Sequence, residues 1–500
     1  MADARSNWSY WNETASGEAF PQLEGDISVD IAIIGGGITG VTTARRLKDL
    51  GLTAAVVEAR RVGRQVTGGS TAKITSQHGI VYTEIARKFG DRRARLYAEA
   101  QETALREILK LAAEHGIACD LERKSAYTYT RQQKHVAEIE REAQIASRLG
   151  LPASVVNSTD LPFGVLAALR FADQAQFHPV KYVQGLARTI PGDGCHVFEN
   201  SRVIDWQPRK VITEHGSISA RHVIMATHLP LGEVGGFFAE AYPYAEPVIA
   251  GPLKHVPDGM FLNVEEPGRS IRTHVAEDGT VFGIAAGSAF KPGHTDDEEK
   301  GLAGLERWFM EHFASGPITH RWVNEDYTPM DGAPFVGWSG HGDDAYLVAT
   351  GFNAWGITNG TAAAMLLADL AAGRETPWHE LYDARRVKPA ASAMEFVKEN
   401  LLVAKDLVGG YLARRPKSLV ELAPGQGAVM NIDGRRIAAY RAEDGRIQAL
   451  SAACTHMGCI LGWNGTDRTW DCPCHGSRFD LEGQVLHGPA VTPLKREDIG

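Results

Sequence analysis

Residues Val29–Ile34 form a compact apolar run, interrupted only by Asp30, that closes on Gly35-Gly36-Gly37, after which apolar positions repeat at helical spacing to Leu47. A second apolar run, Leu52–Glu58, ends in an acid. Short apolar runs bounded by glycine read as buried strands, so the order is strand, glycine turn, helix, strand, which is a βαβ unit. The stretches Gln101–Glu114 and His135–Leu149 are rich in Ala, Glu and Arg and predict two amphipathic helices. From about 195 to 290, β-like runs such as Val203–Trp206, His222–Ala226 and Thr280–Ile284 alternate with Gly and Pro, predicting mixed α+β structure. Gly356–Leu370 predicts a helix with Gly373 as its C-cap, and another helix runs from Ala390 to about Ala413, ahead of Arg414-Arg-Pro-Lys417. From Ser418 onward, short strands alternate with Asp433-Gly434, Asp444-Gly445, Asn464-Gly465 and Glu482-Gly483, the pattern of a small all-β domain.

A chain of 500 residues is too long for one core. The pattern divides it into 1–385, a helical linker at 386–417 and a β domain at 418–500, with a boundary near 415. A formal charge of −9 argues against a nucleic-acid scaffold, which needs a concentrated basic surface. The first ten residues contain no apolar signal core. The Ala/Leu-rich stretch Thr361–Leu370 is broken by Asp369 and Gly373, so no membrane span and a cytoplasmic location are expected. Of six cysteines, Cys454, Cys459, Cys472 and Cys474 fall close together, and such clustering in a cytosolic chain points to a metal.

Gly35, Gly37 and Gly40 match G-x-G-x-x-G in its required setting, after a strand and at the start of a helix. The first glycine permits the tight turn, the second lets backbone approach a pyrophosphate, and the third lets helix and strand pack closely. Glu58, at the end of the second strand, accepts hydrogen bonds from ribose hydroxyls and would repel a 2′-phosphate, which disfavours NADP. The fingerprint leaves FAD and NAD both open.

Three segments resemble the flavin family of D-amino-acid oxidase, glycine oxidase and sarcosine oxidase: Asp30-Ile-Ala-Ile-Ile-Gly-Gly-Gly-Ile-Thr-Gly40, His222-Val-Ile-Met-Ala-Thr227 and Gly351-Phe-Asn-Ala-Trp-Gly356-Ile-Thr358. The resemblance covers about residues 28–380. It implies a Rossmann-like FAD-binding domain with an interleaved mixed-sheet substrate domain at about 80–180 and 230–325. It also implies FAD contacts at Thr227, Gly351, Phe352, Gly356, Ile357 and Thr358. His228 departs from the family, which commonly has glycine there. Neither family position for covalent attachment carries a suitable residue, since Glu325-Asp326-Tyr327-Thr328 has no cysteine and Lys73 occupies the histidine slot; FAD is expected to be non-covalent. By the same likeness Gly68-Gly-Ser-Thr-Ala-Lys-Ile-Thr-Ser-Gln-His78 passes close to the flavin ring. Ser70 and Thr71 are then donors to the cofactor, Lys73 a stabiliser of negative charge on the reduced flavin, and His78 a base. The plainer alternatives are an ion-pairing Lys73 and a structural His78. Arg272 is a candidate cation for the substrate.

Cys454-Thr-His456 and Cys472-Pro-Cys474-His475 supply two thiolates and two imidazoles as C-x-H and C-x-x-H, the ligand set of a Rieske [2Fe–2S] cluster. The alternative, a Cys2His2 zinc site, ordinarily pairs its histidines in one segment. Residues 418–496 resemble the Rieske proteins of respiratory and photosynthetic cytochrome complexes, through Cys454-Thr-His-Met-Gly-Cys459, Cys472-Pro-Cys-His-Gly-Ser477 and the Pro loop Gly488-Pro489-Ala490. The likeness implies a disulfide between Cys459 and Cys474, a hydroxyl donor to the cluster at Ser477, and Phe479 where high-potential relatives carry tyrosine.

Together these readings predict FAD-dependent oxidation of an amine or amino-acid C–N bond, with electrons passing to the cluster and on to a one-electron acceptor protein. Two alternatives remain at this point. Electrons can enter from a partner reductase through the cluster, or the chain can be a non-catalytic electron-transfer or redox-sensing protein.

Overall fold

The structure is a computed structural model that describes residues 9–340, 346–386, 393–412, 419 and 422–499. The expected boundary near 415, both ends of the linker (387–392 and 413–418) and Arg414-Arg-Pro-Lys417 lie outside the described residues.

Among the described residues the strands form four sheets. The first centres on strand Gly25–Ile34, which pairs in parallel with Ala54–Val57 on one side and Gly216–Met225 on the other. Leu347–Thr350 and His196–Phe198 extend it in parallel. The run Ile31–Ile34 is covered on both faces, as a parallel sheet requires, which is why it is apolar without alternation. Helix Ile38–Asp49 packs with helix Gly356–Ala371 over one face of this sheet, and both start from the edge at which strands Gly25–Ile34 and Leu347–Thr350 end. Gly373 follows the latter helix at φ +70, and its N–H closes on the Leu370 carbonyl.

The second sheet is mixed and runs in the order His320–Pro329, Ala241–Pro252, Val281–Gly287, Arg269–Val275, Met260–Asn263, Glu122–Thr130, Ala167–Gln176, Lys73–Ile74. Helix Val81–Glu114 packs against helices Gly356–Ala371 and Val136–Arg148, with a break at Gly90 (φ +83), so the expected helix at Gln101–Glu114 is its C-terminal part. The helix expected at His135–Leu149 is Val136–Arg148.

The C-terminal unit is all β: Gly427–Ile432, Arg435–Arg441 and Ile447–Ser451 form one antiparallel sheet, and four shorter strands between Gly462 and His487 form the other. The first hairpin turns on Asp433 and Gly434 at φ +51 and +77, the left-handed pair of a two-residue turn. Helix Ala393–Leu412 is wedged against this unit. Val403 and Leu407 pack on the C-terminal core, while Asn400 donates to the Ala239 carbonyl of the larger body. No helix among the described residues is long and apolar enough to cross a membrane.

Candidate functional site: a cofactor cavity roofed by the cluster domain

The glycine turn leaves room only for backbone. At Gly35 (φ +109) a Cβ would lie 2.5 Å from the Ala226 carbonyl oxygen, and at Gly40 it would lie 2.0 Å from the Gly35 carbonyl oxygen. Gly37 caps helix Ile38–Asp49, whose first turn (Gly37, Ile38 and Thr39) lines a cavity of about 190 Å3, with Ile38 N–H donating to the Thr67 hydroxyl at 3.1 Å. Glu58 stands in its wall; one carboxylate oxygen accepts from Gly36 N–H and the other from Arg60 N–H, both at 2.9 Å. Burial pushes the Glu58 carboxyl up, opposed by these two donors. A cradle that a Cβ would fill, a helix N-terminus and an acid at the strand end fit a dinucleotide.

Of the residues expected to touch the cofactor, Gly35, Gly37, Glu58, Ser70, Thr227, Phe352, Gly356 and Ile357 line the cavity. Gly40 and Gly351 shape its backbone instead, Gly351 turning at φ +76 against Pro329. Thr71 spends its hydroxyl as acceptor for Lys73 at 2.9 Å, and Thr358 donates to the Thr75 carbonyl at 3.0 Å. Sequence reasoning missed Arg202, Asn324 and Asp326 in this wall, and that Gly488 and Ala490 of the Pro loop complete it with Val485, Leu486, His487 and Val491. No local motif marks this meeting, because the segments come from distant parts of the chain.

Lys73 is buried and reaches the Ser270 hydroxyl at 3.3 Å; burial, aided by Arg272, pushes its ammonium down to about 7. His78 has no nitrogen left for a substrate proton. Nδ1 lies 2.6 Å from the Tyr97 hydroxyl, Nε2 lies 2.9 Å from the Thr75 carbonyl oxygen and 3.0 Å from Thr358 Oγ1, and burial holds its pKa down at about 3. The geometry therefore argues against the base role and makes His78 a strut stacked on Trp355 at 4.6 Å. Arg272 is likewise corrected. It is fully buried over Trp11 and donates to the carbonyls of Ala72, Phe177 and Thr273, so it has no free fork for a substrate.

His228 takes a left-handed backbone (φ +70), which costs an L-residue on the order of 1 kcal/mol. Its Nε2 sits 3.0 Å from Asp326 Oδ1, while its Nδ1 is buried and unpartnered at the cavity wall.

The C-terminal unit presents its metal-ligating residues toward the larger body. Cys454 and Cys472 are buried, free and adjacent; their hydrogen bond holds Cys454 down to about 7 and pushes Cys472 up. The sulfurs of Cys459, Cys472 and Cys474 lie within 4.8 Å of one another, yet Cys459 and Cys474 are joined as a disulfide and cannot ligate. That leaves Cys454 and Cys472 as the two thiolates. The His456 and His475 rings lie 5.1 Å apart, and both pack edge-on to Phe238 of the larger body at 5.2 Å. Both ring nitrogens of His456 are buried without a partner, an arrangement that a metal bond would satisfy. Burial holds His475 down at about 3, so its imidazole is neutral as a ligand must be. The donor set fits two thiolates and two imidazoles on one cluster. Ser477 is within hydrogen-bond reach of Cys454 and also accepts from Ala490 N–H, and Phe479 is fully buried in the adjoining core.

Fold and site thus define a dinucleotide-dependent oxidoreductase with a Rieske domain docked over its cofactor cavity. Residues 30–370 match the model of the FAD dependent oxidoreductase family and residues 416–497 that of the Rieske [2Fe-2S] domain. The chain is 34% identical over 497 residues to the putative Rieske 2Fe-2S iron-sulfur protein YhfW of Bacillus subtilis, covering 98% of this chain and 97% of that one. It is 26% identical over 235 residues to gamma-glutamylputrescine oxidoreductase of Escherichia coli, covering 45% of this chain and 55% of that protein. Among solved structures, L-proline dehydrogenase from P. horikoshii shares the fold with a TM-score of 0.58 at 19% identity, over 73% of this chain and 98% of that one. The chain belongs to the FAD dependent oxidoreductase family and carries a C-terminal Rieske [2Fe–2S] domain. Its cofactors are FAD and a [2Fe–2S] cluster.

Proposed function

We propose that this chain oxidises the C–N bond of an amine or amino acid at FAD and hands the electrons singly through the Rieske cluster to an external acceptor protein. The observation that carries this reading is the shared cavity wall, in which Gly35, Gly37, Glu58 and Ser70 face Val485, Leu486, His487, Gly488 and Ala490 of the Rieske domain. When bound, FAD supplies a hydride acceptor able to release electrons singly, and the cluster supplies a one-electron relay. The glycine turn and the helix N-terminus at Ile38 hold the pyrophosphate, and Glu58 reads the ribose. The loop Val485–Val491 closes the cavity against water, which strengthens every charge interaction inside it. The activities named for gamma-glutamylputrescine oxidoreductase and L-proline dehydrogenase support a C–N bond as the point of attack.

The test is a panel of amines and amino acids added anaerobically to the wild-type protein and to Cys472→Ser. The wild type should show flavin bleaching followed by the electron paramagnetic resonance signal of a reduced Rieske cluster. The variant should bleach as fast, show no cluster signal, and lose turnover with a one-electron acceptor such as cytochrome c. Normal turnover of the cluster-free variant, or failure of its flavin to be reduced, would sink the proposed direction.

A further inference from the structure

Two side chains of the flavin-binding body span the distance between the cofactor cavity and a cluster ligand. His228 lines the cavity, and its ring meets the Tyr327 ring edge-on at 4.7 Å. The Tyr327 hydroxyl is shared between the carbonyl oxygens of His475, at 3.0 Å, and Gly488, at 3.2 Å. One of these is the backbone of an iron ligand and the other opens the Pro loop. The approach is close because the cluster loop turns through Gly476 at φ +70, where a Cβ would lie 2.8 Å from the Tyr327 hydroxyl.

Both residues are held from several sides. Asp326 Oδ1 lies 3.0 Å from His228 Nε2 and accepts from Tyr327 N–H at 2.7 Å, while its Oδ2 accepts from Ala354 N–H at 2.6 Å. The Tyr327 carbonyl accepts from Asn353 N–H at 3.1 Å, so its main chain is tied to the turn that lines the cavity at Phe352 and Ala354. His228 occupies a left-handed backbone conformation that glycine would adopt without strain. Strain kept at a cavity wall points to a use for the side chain.

We propose that His228 and Tyr327 form the bridge through which electrons pass between the flavin site and the Rieske cluster. This rests on the reading that the two centres exchange electrons. Substrate oxidation releases two electrons; each crossing carries one from the reduced flavin to the oxidised cluster, and an external one-electron acceptor empties the cluster before the second crosses. The ring of His228 starts the path at the cavity, and the Tyr327 ring and hydroxyl continue it onto the His475 main chain.

The test uses the full-length protein with both cofactors bound and needs no substrate. Laser-flash photoreduction of the flavin is followed by the appearance of the reduced cluster, in the wild type, His228→Gly and Tyr327→Phe. His228→Gly relieves the backbone strain, so its thermal midpoint should equal or exceed that of the wild type. Both variants should transfer severalfold more slowly, with the g-values and reduction potential of the cluster unchanged. Wild-type rates in both variants would overturn the bridge and leave the flavin-to-cluster reading standing. Slowing that appears only with altered g-values would make these residues a structural clamp and overturn it equally. Absence of transfer in the wild type would instead defeat the reading on which the bridge rests.

Discussion

Lys73 carries a charge that the fold holds at a cost. Its ammonium is enclosed, has hydroxyl partners at Thr71 and Ser270, and forms no ion pair among the described residues, so burial pushes it down to about 7 from the usual 10.5. Between those two values the unfolded chain binds the proton and the folded chain does not. Stability therefore rises with pH across that window, by at most about 1.4 kcal/mol per pH unit, and the penalty is present in full below about 7. Lys73→Met should remove the penalty. Thermal unfolding should find the variant more stable than wild type at pH 6, with the advantage shrinking towards pH 10; an advantage that did not change with pH would show that Lys73 is not buried as a charge. Lys73 is not among the residues that line the cofactor cavity; its place near the flavin is what the family likeness implies, and on that expectation the same variant should lower the flavin midpoint potential at pH 6, whereas an unchanged potential would remove Lys73 from that role. The glycines were legible because each is demanded by sterics within a few residues of itself. The fate of His78 and Arg272 was not, because whether a nitrogen is free depends on Tyr97, Thr358, Ala72 and Phe177, which the chain brings in from far away.

Among the elements, those whose pattern is local followed their sequence. The Asp433-Gly434 turn, the parallel strand at Gly25–Ile34 and the helix at Gly356–Ala371 each combine an apolar period with a stop signal. The first turns of helix Val81–Glu114 were missed, since Gly90 interrupts the period and arginines crowd the exposed face beyond it. The two cluster loops belong to a third kind, legible by ligand spacing but held together by a cross-link. The Cys459–Cys474 disulfide joins residues 15 apart and so closes a loop worth roughly 3 kcal/mol in chain entropy. Cys459→Ser should lower the stability of the C-terminal unit by about 2–4 kcal/mol. It should also speed loss of the cluster absorbance in a chelator, while the ligand signature of the cluster that remains stays that of two thiolates and two imidazoles. A shift to a different signature would show that Cys459 or Cys474 ligates iron.

At the scale of the molecule, the docking of the Rieske domain could not be read from the chain, because its contacts join residues far apart in sequence and obey no period. Its centre is Arg478, buried and placed 3.0 Å from Asp467, 2.9 Å from Asp471 and 3.6 Å from Glu325 of the larger body. Glu325 also meets His487 at 2.5 Å, and Asp467 accepts from the main-chain N–H of Val323. Three carboxylates thus converge on one guanidinium without water to screen them, and Asp467 is pushed up to about 7 by burial even so. Removing the cation leaves Asp467 and Asp471 buried with only neutral hydrogen-bond donors and Glu325 with His487 as its one remaining basic partner, a loss of about 3–5 kcal/mol, larger than an exposed ion pair could produce. The acids regain water only if the two bodies separate, so Arg478→Met should uncouple them before it unfolds either. In the wild type, heating should release FAD and bleach the cluster in one transition, because the cavity wall is common to both domains. In the variant two transitions should appear, with the Rieske domain parting first. If FAD release and cluster loss still coincide at an unchanged midpoint, Arg478 does not hold the domains together and the shared wall must rest on the apolar contacts around Phe238 instead.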